Sequence, residues 1–108
     1  MKIAVISSSK VSAMDLEKYL PSNTTEIVSL CENNLDESAK EYADANGILL
    51  IEFVPGPEIF DSNESRKRIT SIIKEAEIVL VFWDGVNART KFVIDECKTL
   101  DIPIRVYV

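Results

Sequence analysis

Strand-length apolar runs that alternate with helical patterns constrain the fold of this chain more than any other feature. The runs are rich in β-branched residues, which is typical of parallel strands buried on both faces. The predicted strands cover residues 2–6, 26–30, 48–54, 78–83 and 104–108, and the predicted helices about 12–20, 34–46, 64–76 and 89–100. Because parallel strands need right-handed crossovers, we expect an α/β fold: a three-layer, doubly wound, five-stranded parallel sheet in the order 3-2-1-4-5.

The helix ends carry their own signals. Ser12 and Asp15 fit a capping box at the start of the first helix, and Pro21 prevents that helix from continuing. Asp36, or Asn34 before it, can cap the second helix, and Gly47 fits the left-handed position that ends it. Helical spacing in the fourth helix predicts an inner face of Val93, Ile94, Cys97 and Leu100.

Length and charge limit the classes of protein to which the chain can belong. Its 108 residues suit one domain over residues 1–108, and 46% of them are hydrophobic, which is enough for a core. The net charge of −6 argues against nucleic acid and anionic membranes as partners, since both repel an acidic surface. No apolar run is long enough to span a bilayer. We therefore expect a cytoplasmic domain that binds neither nucleic acid nor membrane.

The chain contains no histidine, and its two cysteines, Cys31 and Cys97, lack the spacing of a zinc site or a C-x-x-C motif. Serine–histidine and cysteine–histidine nucleophile pairs are therefore excluded. With no signal peptide before them, both thiols are expected to be reduced. The sequence predicts neither a metal nor a cofactor.

The predicted strand order reverses between the first and fourth strands. Ligands of open α/β sheets bind in the crevice outside the carboxyl ends of the strands at such a point. Segments 7–10 and 84–90 lie there, with segment 31–36 beside them. Any ligand of this chain is therefore expected between the ends of strands 1 and 4.

Three serines follow the first strand: Ser7, Ser8 and Ser9. Their hydroxyls and amides can hold a phosphate or carboxylate near a helix start. A polar turn before a capped helix explains the same serines equally well. Both interpretations therefore stay open for this segment.

The segment after strand 4 offers a second anion site. Asn87 fits an N-cap, which leaves the following amides free at the positive end of a helix. Arg89 and the Thr90 hydroxyl add a charge and a hydrogen bond. An ordinary capped helix with a surface arginine is the alternative. We prefer the anion site because the segment lies at the reversal point.

Other candidates have simpler explanations. Trp83, at the end of strand 4, is more often a packing residue than a platform on which a base stacks. The cations at 66–68 form a solvated helix face, from which Arg68 is the one expected to turn toward the crevice. Asp36 and Asp84 can act as acid and base if they converge. A helix cap explains the first carboxylate equally well, and a turn explains the second.

The C-terminal half of the chain resembles a known pattern. From Ala76 it reads AEIVLVFWDG, then has Asn87, Arg89 and Thr90, and continues from Asp101 as DIPIRVY. The corresponding family pattern is AD-x-V-L-x-F-W-D-G-x-S-x-G-T, followed by a helix and G-I-P-V-x-V. The chain thus resembles the SLOG superfamily of Rossmann-like nucleotide-binding domains, which includes the Lonely Guy phosphoribohydrolases. It is most similar to the short branch related to YspA and YpsA.

The resemblance covers nearly the whole chain, but the departures lie at the ligand site. A glycine pair of the family is replaced by Leu30 and Cys31, and the glycine before the motif threonine by Arg89. The hydrolase branch has a catalytic glutamate where this chain has Val93. Side chains at glycine positions fill space that a phosphate would occupy. The family site residues that remain are Ser8, Asp36, Arg68, Asp84, Gly85 and Thr90.

We expect a non-catalytic binding domain for a nucleotide or a related phosphorylated small molecule. One alternative is a degenerate domain that acts through homo-oligomer or partner contacts, and the resemblance implies a homo-oligomer. Another is a nucleotide N-glycosidase, in which Asp36 or Asp84 replaces the missing glutamate. The predicted ligand-binding residues are Ser7, Ser8, Ser9, Asp36, Arg68, Trp83, Asp84, Gly85, Asn87, Arg89 and Thr90.

Overall fold

The structure, a computed structural model, describes residues 1–7, 12–29, 37–52, 63–83, 85–86 and 88–107, without the side chains of residues 63–65, 68 and 89. Strands and helices alternate along this part of the chain, as the sequence predicts. They are β1 (Lys2–Ser7), α1 (Ala13–Tyr19), β2 (Glu26–Ser29), α2 (Glu37–Ala45), β3 (Leu49–Glu52), α3 (Asn63–Glu75), β4 (Ile78–Phe82), α4 (Ala88–Thr99) and β5 (Ile104–Tyr107).

These strands form a five-stranded sheet in the order β3-β2-β1-β4-β5, and every neighbouring pair is parallel. β1 lies at the centre, where Ile3 is opposite Ile27 of β2 and Ile78 of β4. The predicted fold class and strand order are confirmed. The order of the strands therefore reverses between β1 and β4.

Each face of the sheet is covered by one pair of helices, because successive side chains of a strand point to opposite faces. Ile3 and Val5 of β1 belong to a buried cluster with Leu16 of α1 and Ala39 of α2. A second buried cluster joins β1 and β4 to α3 and α4. Its members include Ala4, Ile6, Ile69, Ile73, Val81, Val93 and Cys97.

α1 has only seven residues, which is too short for a helix to be stable alone in water. The predicted capping box fixes its start. The Asp15 amide donates to the Ser12 hydroxyl at 3.4 Å, and the Ser12 amide donates to the Asp15 carboxylate at 3.0 Å. Leu16, which is 1% exposed, anchors the helix to the sheet. The helix ends before Pro21, as predicted.

α2 and α4 end in the same type of hydrogen-bonded turn. Gly47 after α2 has a φ of 65°, and Asp101 after α4 has a φ of 56°. In each turn the next amide donates to the carbonyl five positions back, at 2.8 Å from Ile48 and 2.9 Å from Ile102. This is the Schellman motif. The predicted role of Gly47 is confirmed, and Asp101 adopts the same left-handed conformation without the freedom of glycine.

Three of the observed strands differ from the predicted ones at their ends. β1 continues one residue further than predicted because Ser7 pairs with Phe82 of β4, which ends one residue earlier than predicted. β3 covers Leu49–Glu52 and begins one residue later than predicted, because the Ile48 amide belongs to the turn that ends α2. Residues 53–54 of its predicted span lie outside the described residues. Among the helices that the structure describes, none combines the length and apolar character needed to cross a bilayer.

Candidate ligand-binding crevice

The carboxyl ends of β1 and β4 lie side by side where the strand order reverses. Ser7, the last residue of β1, is opposite Phe82, the last residue of β4. Ser7 is 1% exposed, so it belongs to the sheet rather than to the turn in which the sequence places it. Side chains alternate along β1, so the Ser7 side chain lies on the same face of the sheet as those of Ile3 and Val5, toward α1 and α2.

The first turn of α4 lies at this same end of the sheet, where the strands have their carboxyl ends. The helix begins at Ala88, one residue after the predicted N-cap Asn87, which lies outside the described residues. Thr90, in this first turn, is 1% exposed, so its side chain is directed into the protein. The amides of the turn lie at the positive end of the helix dipole, as the predicted anion site requires.

The connection between β4 and α4 offers accessible backbone. Gly85 has a φ of 90°, which strongly favours glycine. Apart from its chain neighbours, no atom of the described residues lies within 4 Å of the position that a Cβ would take there. Val86 beside it is 82% exposed. Sequence reasoning missed Val86, because nothing in the pattern of this segment indicates the direction of its side chain.

Trp83 is half-buried and packs against the α3–α4 face of the sheet. Its amide donates to the Tyr107 carbonyl at 2.9 Å, which continues the pairing of β4 with β5 by one residue. On the opposite face, the rings of Phe82 and Tyr107 pack with Tyr19 at centroid distances of 4.0 to 5.5 Å. Packing accounts for the position of Trp83 without a ligand.

Several predicted site residues fall outside what the structure describes. The structure brings Ser7, Gly85 and Thr90 to one end of the sheet. Arg89 lies in the first turn of α4 and Arg68 in α3, but their side chains are not among the described atoms. The predicted residues that lie wholly outside the described part are Ser8, Ser9, Asp36, Asp84 and Asn87.

Cys97 is a free thiol on the inner face of α4. Burial, and to a lesser degree the Glu96 carboxylate, raises the pKa of Cys97 to about 11. The thiol is therefore protonated at neutral pH and is a poor nucleophile. Within the described residues, no group of carboxylates and thiols is arranged to hold a metal ion. Cys31 lies outside those residues.

A second concavity lies on the outer surface of the protein, between α3 and α4. This α3–α4 groove has a volume of about 580 Å³. Sequence reasoning treats its cations as a solvated helix face and misses the groove, because the groove depends on how two helices pack beside each other. Its lining residues are Arg66, Lys67, Thr70, Ser71, Lys74, Phe92 and Glu96.

The described geometry defines a Rossmann-like parallel α/β domain whose strand order reverses between β1 and β4. No protein family model matches the chain, and neither does any curated protein or solved structure. The class of protein is therefore assigned from the strand order itself. The resemblance to SLOG domains stays a hypothesis about its relatives.

Proposed function

We propose that the chain is a SLOG-like, non-catalytic binding domain for a nucleotide or a related phosphorylated small molecule. One observation carries the proposal: the strand order reverses between β1 and β4, and α4 begins after the carboxyl end of β4. That is the position at which open α/β sheets bind their ligands. The exposure of Gly85 and Val86 in the connection from β4 to α4 supports it, because a ligand can approach an exposed backbone.

In the proposed complex, the phosphate meets the amides of the first turn of α4 and the guanidinium of Arg89. Ser7, at the end of β1, and Thr90, in the first turn of α4, are buried polar residues that flank the proposed site from opposite faces of the sheet. Val86, which is exposed at the rim, contacts the apolar part of the ligand. Arg89 takes the place of a family glycine, so a charged side chain replaces part of the contact that backbone amides make alone.

The proposed absence of catalysis is supported by residue 93. This position carries the catalytic glutamate in the hydrolase branch of the superfamily that the chain resembles. Here Val93 is fully buried in the cluster beneath α3 and α4. Its side chain therefore points into the core, where an isolated carboxylate would be strongly disfavoured.

A melting screen with nucleotides and sugar phosphates tests the proposal. We expect at least one compound to raise the melting temperature, because a ligand that binds only the folded chain stabilises it by about 2.7 kcal/mol at 100 times its Kd. Arg89→Gln should abolish the rise. Lys91→Gln is the matched control: it removes one positive charge from the same helix, at an exposed residue that pairs with Asp95 at 3.2 Å.

The Lys91→Gln variant should keep the full ligand-induced rise. If no compound in the panel stabilises the wild-type chain, the proposed function is wrong. It is also wrong if both variants lose the ligand-induced rise in melting temperature equally. This result would indicate a general response to charge rather than a site at the first turn of α4.

A further inference from the structure

The two helical layers carry opposite net charges. α3 and α4 together contain seven lysine and arginine residues and four acidic residues, a net charge of +3. α1 and α2 contain two lysines and five acidic residues, a net charge of −3. Because these layers cover opposite faces of the sheet, an acidic chain has one basic face and one acidic face.

The α3–α4 groove concentrates the positive charge of its layer. Lys67 and Lys74 are exposed along it, and neither forms an ion pair with any other residue that the structure describes. The Arg66 guanidinium lies over the ring of Phe92, 5.4 Å from its centroid. Glu96 is the acidic residue of the lining, and it accepts a hydrogen bond from the Thr70 hydroxyl at 3.1 Å. The groove therefore fits an acidic occupant.

An acidic surface with matching spacing lies on α2 of the same chain. Glu37, Glu41 and Asp44 are all exposed, and their i, i+4, i+7 spacing places them on one side of the helix, where Lys40 also lies and pairs with Glu37 at 3.6 Å. We call these three residues the acidic stripe. Glu37 and Asp44 are seven residues apart, as are Lys67 and Lys74, which corresponds to about 10.5 Å along each helix. The charges of the stripe can thus face those of the groove in register.

We propose that the acidic stripe of one copy of this chain occupies the α3–α4 groove of a second copy. Both halves of the contact are present in one sequence, with opposite charge and equal spacing, which favours a second copy over an unrelated partner. The halves lie on opposite faces of the sheet, so they cannot pair within one molecule. The contact is therefore heterologous and joins copies head to tail. Such an assembly keeps an unoccupied groove at one end and an unpaired acidic stripe at the other.

The contact should respond to salt in a definite direction. At about 0.1 M salt the Debye length is about 10 Å, so charges that face each other across the groove attract while the overall charges of −6 are largely screened. At about 1 M salt the length falls to about 3 Å and the attraction is screened too. In sedimentation velocity we expect the mean mass to rise at least twofold with protein concentration at the lower salt. At the higher salt we expect a single-copy mass.

A charge exchange identifies the two surfaces. The groove variant Lys67→Glu/Lys74→Glu and the stripe variant Glu37→Lys/Asp44→Lys should each be monomeric alone. An equimolar mixture should associate again, because each reversed surface then meets its complement on the other variant. All four positions are exposed, and unchanged melting temperatures would confirm that both variants fold.

Lys98→Glu/Arg105→Glu is the matched control for the groove variant. It changes the net charge by the same amount at two exposed residues outside the groove, and it should associate as the wild type does. The proposal is overturned if the wild-type chain stays monomeric at about 0.1 M salt, or if the mixture of folded variants fails to associate. Neither result bears on the crevice, whose residues all of these variants retain.

Discussion

At the scale of single residues, Cys97 shows how a place in the core decides the chemistry of a side chain. Helical spacing predicts its inward position, because it shares a face of α4 with Val93 and Ile94, and all three are buried. The spacing does not predict its acidity. The pKa of about 11 follows from burial and from the neighbouring Glu96, so it depends on the packing around the helix.

This raised pKa predicts how the stability depends on pH. Above pH 9 the unfolded chain loses the Cys97 proton while the folded chain keeps it up to about pH 11. Cys97 therefore lowers the free energy of unfolding as the pH rises through this window, by up to about 1.4 kcal/mol per pH unit. Urea unfolding at pH 8, 9 and 10 measures the effect.

Cys97→Ala is the control for this pH dependence. It should be less stable at every pH because it leaves a cavity, but its stability should fall less steeply above pH 9 than that of the wild type. Other titrating groups, Cys31 included, are common to both proteins and cancel in the comparison. Parallel curves for the two proteins would show that the thiol titrates alike in the folded and unfolded chains.

At the scale of elements, the ends of α2 and α4 provide a natural comparison. Both helices end with a residue in the left-handed conformation, Gly47 in one and Asp101 in the other. An L side chain is strained there, and an acidic one also meets the negative end of the helix dipole. The turn after α4 therefore carries backbone strain that the turn after α2 avoids.

We predict that Asp101→Gly stabilises the protein by about 0.5 to 1 kcal/mol, since the relieved strain and charge outweigh the greater freedom of glycine in the unfolded chain. Urea unfolding monitored by circular dichroism is a suitable measurement. Gly47→Ala is the reverse substitution at the corresponding position of α2, and we expect it to lower the free energy of unfolding by about 1 kcal/mol. A Cβ at Gly47 meets no atom of the described residues within 4 Å, so that cost would be conformational rather than steric. Effects of the same sign at the two positions would contradict this explanation.

The element boundaries also show which features a sequence can predict. The capping box at Ser12 and the turn at Gly47 depend on residues close together in the chain, and both are confirmed. The end of β1 depends on a partner far away in the sequence. Ser7 remains in the strand because Phe82 of β4 pairs with it, and no local pattern around Ser7 indicates that pairing.

At the scale of the whole molecule, the order of the strands follows from the alternation of elements and the handedness of their crossovers. The predicted location of the ligand-binding crevice follows from that strand order. Two surfaces could not be predicted in this way: the exposed Val86 and the α3–α4 groove. Both depend on how the side chains of segments far apart in the sequence pack against each other. The opposite net charges of the two helical layers can be recognised only after each helix is assigned to a face of the sheet.

Within the described part of the chain, two regions can attract an anion: the positive end of the α4 dipole and the lysines of the α3–α4 groove. Stabilisation by a phosphorylated compound does not by itself distinguish them, because Lys67 and Lys74 can also attract phosphate. The proposed function requires that the ligand binds at the carboxyl ends of β1 and β4. A measurement that reports the position of the ligand is therefore the most direct test.

That measurement is a titration of the nitrogen-labelled chain, followed by NMR, with the nucleotide or sugar phosphate that raises the melting temperature most. We predict that the largest changes in amide chemical shift occur at Ser7, Gly85 and Thr90, and that they saturate with the ligand. The changes at Lys67 and Lys74 should be small. Changes confined to the groove lysines, or no saturable change at the carboxyl ends of β1 and β4, would contradict the proposed crevice.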